Sequence, residues 1–399
     1  MIEVEDALQR IISAITPGIP ETVPLRAALD RVLAQDVFAP ISLPSFDNSA
    51  MDGYAVQAAD VLHVRPQTPA RLRCIGSVPA GTSYTQTVQP QTCVRIFTGS
   101  PLPEGADAVV MQEDTQTDGE FIEVLDAVKP WENVRLTGED VKAGAVIARA
   151  GERLKVPSLA VLGAVGVATV SAARRPVVGI LSTGNELVEV GAPLTPGKIY
   201  ESNRAMISAL VSQAGAEPRC YPIVHDTLED TRTALERAFA ECEAVITTGG
   251  VSVGEYDRVK AAFESLGGTL DFWKVAMRPG KPFVFGRRSG KILFGLPGNP
   301  VSAFVTFLVL VRPALLRMQG AIDISLPTHP GVLSETLHNR GGRRHFVRVC
   351  VDAAGQVRGA GLQASHALGS LAQSNGLVDV PPETLWPAGQ VVPVLRWGN

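Results

Sequence analysis

Cysteine is scarce in this chain. Five residues (Cys74, Cys93, Cys220, Cys242 and Cys350) are spread over 399 positions, odd in number and without a C-x-x-C pair. That pattern excludes a disulfide framework and a zinc knuckle, and it suits a reducing cytoplasm. Histidine is nearly as rare, with six scattered residues. No neighbour completes a metal cluster around His225-Asp226, so His225 reads as structural and Asp226 as a ligand-contacting carboxylate. No glycine-rich stretch continues into G-K-[ST], which excludes a nucleotide-hydrolysing P-loop. Long apolar runs are missing as well. The longest, Val301–Val311, is followed by Arg312 and Pro313 and reads as a buried helix, with no membrane span expected. The opening MIEVEDALQRI is acidic and amphipathic, unlike a signal peptide. A net charge of -4 sets aside a general nucleic-acid binder. Internal repeats and low-complexity tracts are absent.

What is present is enough apolar residue (45%, against 19% charged) to bury several cores, in a chain long enough for two to four domains. The charge is unevenly placed. Residues 272–348 carry twelve Lys and Arg against only Asp323 and Glu335. A basic quarter beside an acidic remainder suits a polyanionic small ligand accompanied by a divalent cation, while Arg287, Arg288 and Arg340 read as a solvated face.

The texture changes along the chain. Residues 3–15 place Val4, Ala7, Leu8, Ile11 and Ile12 on one helical face, ended by Pro17 and Gly18, and Leu25–Val32 carries a second short helical pattern. From Pro44 to about Leu136, short apolar runs lie between Pro, Gly, Asp and Ser, as in an all-β module. Small residues mix with alternation from Gly138 to Val170, and Arg174-Arg175-Pro176 marks a boundary. Residues 177–318 alternate the strand-like runs VVGILS, CYPIVH, AVITT and KILFGL with helical patterns at 203–214, 228–240 and 257–266. That rhythm predicts a mostly parallel sheet, whose ligands bind beyond the carboxyl ends of the strands. After Gly320 the β texture returns: HFVRVCVD alternates, A-A-G-Q suggests a hairpin, and Pro381, Pro382 and Pro387 break the later strands.

Three glycine-rich turns fall at predicted strand ends. S-T-G-N-E-L offers Ser182, Thr183 and the N–H groups around Gly184, with Glu186 at the mouth. T-T-G-G-V-S-V-G-E-Y-D supplies a phosphate nest from Gly249, Gly250 and Gly254, a donor in Ser252, and Asp257 as helix N-cap or Mg²⁺ ligand, with Lys260 in reach. L-P-G-N-P brings Pro297, Gly298 and Asn299. Between the last two, K-V-A-M-R-P-G-K-P holds Lys274, Arg278 and Lys281 on a proline-stiffened turn, an arrangement that favours an oxyanion or a transferring phosphoryl group. Farther upstream the readings stay open. Asp52 in F-D-N-S-A-M-D-G-Y-A can hold Mg²⁺ or orient a hydroxyl, although Asp-Gly alone reads first as a turn. Thr98 can donate to an oxyanion or cap a turn. Glu139 and Asp140 point to opposite faces if the segment is a strand, so at most one reaches a site.

The motifs M-D-G-Y-A, T-G-S-P-L-P-E-G-A-D-A-V-V, G-E-D, S-T-G-N-E-L, T-G-G-V-S-V-G-E-x-D, R-P-G-K-P and L-P-G-N-P-V-S occur in one order, and from Val4 to about Val380 the chain resembles the molybdopterin molybdenumtransferases, bacterial proteins similar to the C-terminal domain of gephyrin. The resemblance implies a multi-domain α/β plus β subunit: a helical and β linker domain (1–43 and 139–175), an inserted β domain (44–138), a central α/β molybdopterin-binding domain with a mostly parallel sheet (176–318) and a C-terminal β-barrel (319–399). It implies a cytoplasmic homodimer whose site forms near the subunit interface. The implied reaction inserts molybdate into adenylylated molybdopterin with Mg²⁺, releasing AMP and molybdenum cofactor. Asp52, Thr98, Asp140, Glu186, Asp226, Asp257, Lys274 and Arg278 match the catalytic positions. Asp52, Glu186 and Asp257 are the implied metal carboxylates. Ser182, Thr183, Gly184, Gly249, Gly250, Ser252, Gly254, Lys281, Pro297, Gly298 and Asn299 are the implied substrate contacts. Asn185 and Arg278 depart from the Asp and Lys of some members; Arg keeps the charge of Lys but prefers planar, bidentate contacts. Molybdopterin adenylyltransferase and molybdoenzyme maturation factors are the implied partners. Two alternatives remain: the upstream adenylyltransferase, which resembles only the α/β domain, and a non-catalytic cofactor carrier or scaffold.

Overall fold

The computed structural model describes residues 1–250 and 258–397. The amphipathic N-terminal segment forms helix α1 (Val4–Ser13). Its Val4, Ala7 and Ile11 join the same apolar cluster as the central sheet, so this part of the segment 1–43 shares its core with the α/β domain. The helical pattern at Leu25–Val32 yields only one 3-10 turn, Leu25–Ala27. Asp30 adopts a left-handed φ of 61°, which a helix cannot continue through. Nearby, β1 (Pro20–Pro24) pairs antiparallel with the later strand Thr169–Ala173.

The inserted β region holds β2 (Gly53–Val56), β3 (Ala70–Val78), β4 (Thr92–Ile96), β5 (Ala108–Met111), β6 (Thr115–Asp118) and β7 (Phe121–Val124) in one sheet, in spatial order β5-β2-β4-β3-β7-β6. The chain then returns to the linker through α2 (Val156–Ala164) and β8 (Thr169–Ala173). Val23, Leu33, Leu154, Leu162 and Ala172 make the linker's small core.

The α/β region follows as β9 (Val177–Ser182), α3 (Asn203–Gln213), β10 (Glu217–Cys220), α4 (Leu228–Glu241), β11 (Ala244–Thr248), α5 (Arg258–Ser265), β12 (Thr269–Lys274), β13 (Met277–Arg278), β14 (Pro282–Arg288) and β15 (Lys291–Leu296). Its sheet runs β10-β9-β11-β15-β14-β12. The first four strands are mutually parallel, and β14 runs antiparallel to both of its neighbours, β15 and β12. The CYPIVH run is not itself a ladder strand: pairing stops at Cys220, and beyond it Pro222 has no N–H to donate, leaving one bridge between Thr183 and Val224.

Helix α6 (Pro300–Thr306) passes through a π-helical segment at Phe307–Val311 and continues to Met318. Pro313 explains the widened turn, because a proline ring clashes with the carbonyl four residues earlier. The expectation of a helix ending near Val311 is therefore corrected. The helix is long and apolar enough by composition to cross a membrane, yet most of it is buried in the main core.

The C-terminal region contains β16 (Thr328–Leu333), β17 (Arg344–Val351), β18 (Gln356–Gly359), α7 (Leu368–Gln373), β19 (Gly376–Val380) and β20 (Val391–Leu395). Pairing runs β17-β18-β16-β20-β19 and returns to β17, a closed five-stranded barrel. HFVRVCVD does not show simple in–out burial. Val347 and Val349 enter the barrel core while Phe346 joins the α/β core, so both faces of β17 are covered.

Candidate active site

Gly53 opens β2 against β5 so closely that a Cβ there would lie 1.9 Å from the Val110 carbonyl oxygen. Glycine is therefore needed for close strand approach, and Asp52-Gly53 leads into a strand instead of forming the hairpin turn its dipeptide suggests. Asp52 is fixed at that entrance. Its Oδ1 accepts from the Thr98 backbone N–H and hydroxyl, both at 2.8 Å. These bonds, with Arg95 nearby, hold its carboxyl below the usual carboxylate range. The other aspartate of the motif does the same work elsewhere: Asp47 Oδ1 accepts from the Thr137 N–H and hydroxyl at 2.7 Å. It thereby ties down the segment leading to the exposed Asp140.

The second group of residues lies at the carboxyl ends of β9, β11 and β15. Gly249 and Gly250 take positive φ values of 87° and 66°. A Cβ on Gly249 would meet the Thr183 carbonyl at 2.5 Å, and one on Gly250 would meet Thr183 Oγ1 at 2.9 Å. The absent Cβ of Gly298 lies 3.6 Å from the Gly249 Cα. The T-T-G-G turn thus touches both the S-T-G-N and the L-P-G-N turns, as strand-end topology predicts. Thr183 is 5% exposed, and its hydroxyl has no hydrogen-bond partner among the described residues. A buried hydroxyl without a partner costs on the order of 1–3 kcal/mol.

Ser182 differs. It is fully buried, and its hydroxyl donates to Glu201 at 2.9 Å and lies 3.1 Å from Thr248 Oγ1. Its hydroxyl serves the scaffold beneath the turns instead of facing a ligand. Glu186 folds back over Gly184, where a Cβ would sit 2.6 Å from a carboxylate oxygen. Asn185 and Asp226 clasp reciprocally: Asp226 N–H donates to Asn185 Oδ1 at 3.1 Å, and Asn185 N–H to Asp226 Oδ2 at 3.3 Å. Two carboxylates therefore flank one turn. Lys198 also donates to the Asn185 carbonyl. Ser252, Gly254 and Asp257 lie outside the described residues.

The basic turn is held from several sides. Gly280, at φ 109°, packs against Thr306 so tightly that a Cβ would lie 2.4 Å from its methyl. Val275 N–H donates to Lys281 O at 3.0 Å, and Ile2 pairs with Lys274 and Ala276. Strand β13 adds parallel to barrel strand β17, setting Arg278 opposite His345. Lys274 is half-buried, and Arg278 and Lys281 are exposed; none has an ion-pair partner among the described residues. Cations on a restrained backbone, without counter-charges, have the chemistry that suits an oxyanion.

No hydrogen bond or ion pair among the described residues joins the 44–138 sheet to the α/β region. Asp52 and Thr98 are together, and the glycine turns are together, but among the described residues no hydrogen bond or ion pair links Asp52 to Glu186. Nor does any group of three acids, histidines or cysteines gather among the described residues to cage a metal. Sequence reasoning also missed Glu201, Ser365 and Asn203. Asn203 donates from Nδ2 to Gly298 O at 2.8 Å and leaves its buried Oδ1 unpartnered.

A multi-domain protein with glycine turns at the strand ends of its α/β centre, a restrained cationic turn and a separate carboxylate–threonine pair is the class these features define. Three family profiles match in order: the MoeA N-terminal region, domains I and II (residues 2–166), the probable molybdopterin-binding domain (179–317) and the MoeA C-terminal region, domain IV (330–397). The chain is 41% identical to molybdopterin molybdenumtransferase 2 of Mycobacterium tuberculosis over 94% of its own length and 95% of that protein. It is 39% identical to the molybdopterin molybdenumtransferase of Haemophilus influenzae, covering 96% of this chain and 95% of that one. The crystal structure of the molybdopterin biosynthesis moeA protein from Pyrococcus horikoshii superposes with a TM-score of 0.87 at 33% identity, each chain fully covered. The chain belongs to the molybdopterin molybdenumtransferase family.

Proposed function

We propose that this protein inserts molybdenum from molybdate into adenylylated molybdopterin, in the presence of Mg²⁺, and releases AMP. The observation that carries this reading is the contact of the T-T-G-G turn with both other glycine turns, in a protein that also holds a restrained cationic turn. Backbone N–H groups of the turns bind the phosphates, and Lys274, Arg278 and Lys281 take the incoming oxyanion or the adjacent phosphate. The substrate's dithiolene binds molybdenum, so no cysteine of the protein is required.

The residues suit Mg²⁺, which is commonly held by one or two carboxylates together with substrate phosphates, not by a cage of protein ligands. Glu186, folded over Gly184, and Asp226, clasped by Asn185, are the carboxylates that would hold it. Asp257 joins them on sequence grounds. When bound, the ion supplies polarisation of the phosphoryl oxygens. Asp52, kept ionised by Thr98, orients the reacting groups. Incubation with adenylylated molybdopterin, with and without molybdate, tests the reading: AMP must appear only when molybdate and Mg²⁺ are both present. ATP consumption with free molybdopterin would favour the adenylyltransferase instead, and binding without AMP would favour a carrier.

The active unit in this proposal is a cytoplasmic homodimer in which Asp52 of one chain meets the glycine turns of the other. Five free thiols suit that compartment. Mixing Asp52→Ala subunits with Glu186→Ala subunits should restore activity, because a mixed dimer holds one intact site. No recovery in demonstrated mixed dimers refutes the shared site. Molybdopterin adenylyltransferase as supplier and molybdoenzyme maturation factors as acceptors complete the proposal.

A further inference from the structure

Arg348 is 1% exposed, in the middle of β17, and it faces no carboxylate among the described residues. Burying a guanidinium without a counter-charge is costly, so its hydrogen bonds must be purposeful. Its Nη2, with two hydrogens, has three acceptors of one segment in reach, Leu362 O at 2.5 Å, Ser370 Oγ at 3.1 Å and Ala364 O at 3.3 Å, while its Nε has no partner among the described residues. Gln363 clasps the Arg348 backbone from the same segment, accepting from its N–H at 3.0 Å and donating to its carbonyl at 2.9 Å.

The held segment reaches the substrate side through Ser365. Its carbonyl accepts from Val301 N–H at 3.1 Å, one of the unpaired donors in the first turn of α6. Its hydroxyl accepts from Asn299 Nδ2 at 3.1 Å. Asn299 is the N-cap of α6, yet its side chain makes no capping bond to its own helix. The barrel caps that helix in its place. The same strand, β17, also carries the pairing that fixes Arg278.

We infer that Arg348 is a positioning residue: through the 362–370 segment it sets the L-P-G-N-P turn, while its strand sets the cationic turn, so that the barrel fixes the spacing of phosphate and oxyanion contacts. This rests on the proposed reaction for its kinetic consequence but not for its structural one.

The test compares Arg348→Met, Arg348→Lys and Ser365→Ala with Val392→Ala, a barrel-core control matched for loss of Tm. Hydrogen exchange at the Val301 amide and steady-state kinetics with adenylylated molybdopterin are the readouts. Arg348→Met should expose the Val301 amide and raise KM about tenfold, with kcat changed far less. Arg348→Lys should recover part of both, Ser365→Ala should show a smaller rise in KM, and Val392→Ala should leave both unchanged. If Arg348→Met fails to fold, the lysine and Ser365→Ala variants carry the comparison. Val301 protection and KM indistinguishable from the Val392→Ala control overturn the inference. Loss of Val301 protection in a protein whose wild type releases no AMP would refute the proposed reaction while leaving the positioning role standing.

Discussion

His345 should be neutral at every physiological pH, and an anion at the cationic turn should change that. The imidazole is 8% exposed and is paired across β13 with Arg278. Burial first, then the charges of Arg278, Arg348 and Arg343, push its pKa from 6.5 down to about 4. The sign of the stability effect follows from proton uptake. Between those two values the unfolded chain binds a proton that the native site refuses, so stability is lost as pH falls through that window and is unaffected above it. At the acid end the gap is worth up to ~3 kcal/mol. A dianion bound at Arg278 offsets part of the repulsion and should raise the imidazole pKa. By reciprocity, the anion then binds more tightly as pH is lowered toward 5.

The assay is a titration of carbon-13-labelled histidine by NMR, with the His345 signal assigned by its disappearance in His345→Gln. Without ligand it should not titrate above pH 5; with micromolar molybdate its midpoint should move upward. Denaturation of the wild type at a series of pH values should steepen in its loss of stability below pH 6.5 relative to the glutamine variant. A midpoint near 6.5 in the free protein, or one that molybdate leaves in place, refutes the placement of these three arginines around a buried imidazole and the anion site with it.

Thr98→Val removes one of the two bonds that hold the Asp52 carboxyl down, so the acidic limb of kcat/KM should move to higher pH, and an unmoved limb would remove Asp52 from the rate-determining ionisations. Gly249→Ala places a Cβ 2.5 Å from the Thr183 carbonyl at a φ of 87°, which should cost about 2 kcal/mol in stability and weaken substrate binding. Unchanged melting and KM in that variant would mean the turns are not the rigid cradle described.

The parts legible in the sequence are those whose geometry demands a particular residue type locally. Gly249, Gly250 and Gly280 stand at positive φ and against neighbouring turns or helices, and no residue type with a Cβ satisfies both conditions. Alternating strand and helix periods likewise placed the turns at one edge of the α/β sheet. What stayed hidden depends on long-range partners. Asp47 and Asp52 occupy equivalent-looking places in one motif, yet their threonines come from positions 137 and 98. Asn203 meets Gly298 across 95 residues, and Ser365 meets Asn299 across 66. Asp30 stopped a helix by its backbone angle, which side-chain periodicity does not encode.

The hidden contacts share a direction that explains the architecture. Each glycine turn has the freedom to approach a phosphate, and that freedom costs conformational entropy unless something outside the turn restrains it. Gly298 is restrained by Asn203 from α3, Gly280 by Thr306 from α6, and the start of α6 by Ser365 from the barrel. The motif glycines supply the shape, and the distant polar residues supply the order. A chain with the motifs alone, lacking the barrel, would keep the cradle's sequence but lose the cap on Val301 and the strand that fixes Arg278. The C-terminal barrel is therefore part of the site's construction: it reaches the turns through the Ser365 loop, through strand β17 beside Arg278 and through the Arg343 side chain, which donates to the Met277 carbonyl at 3.3 Å.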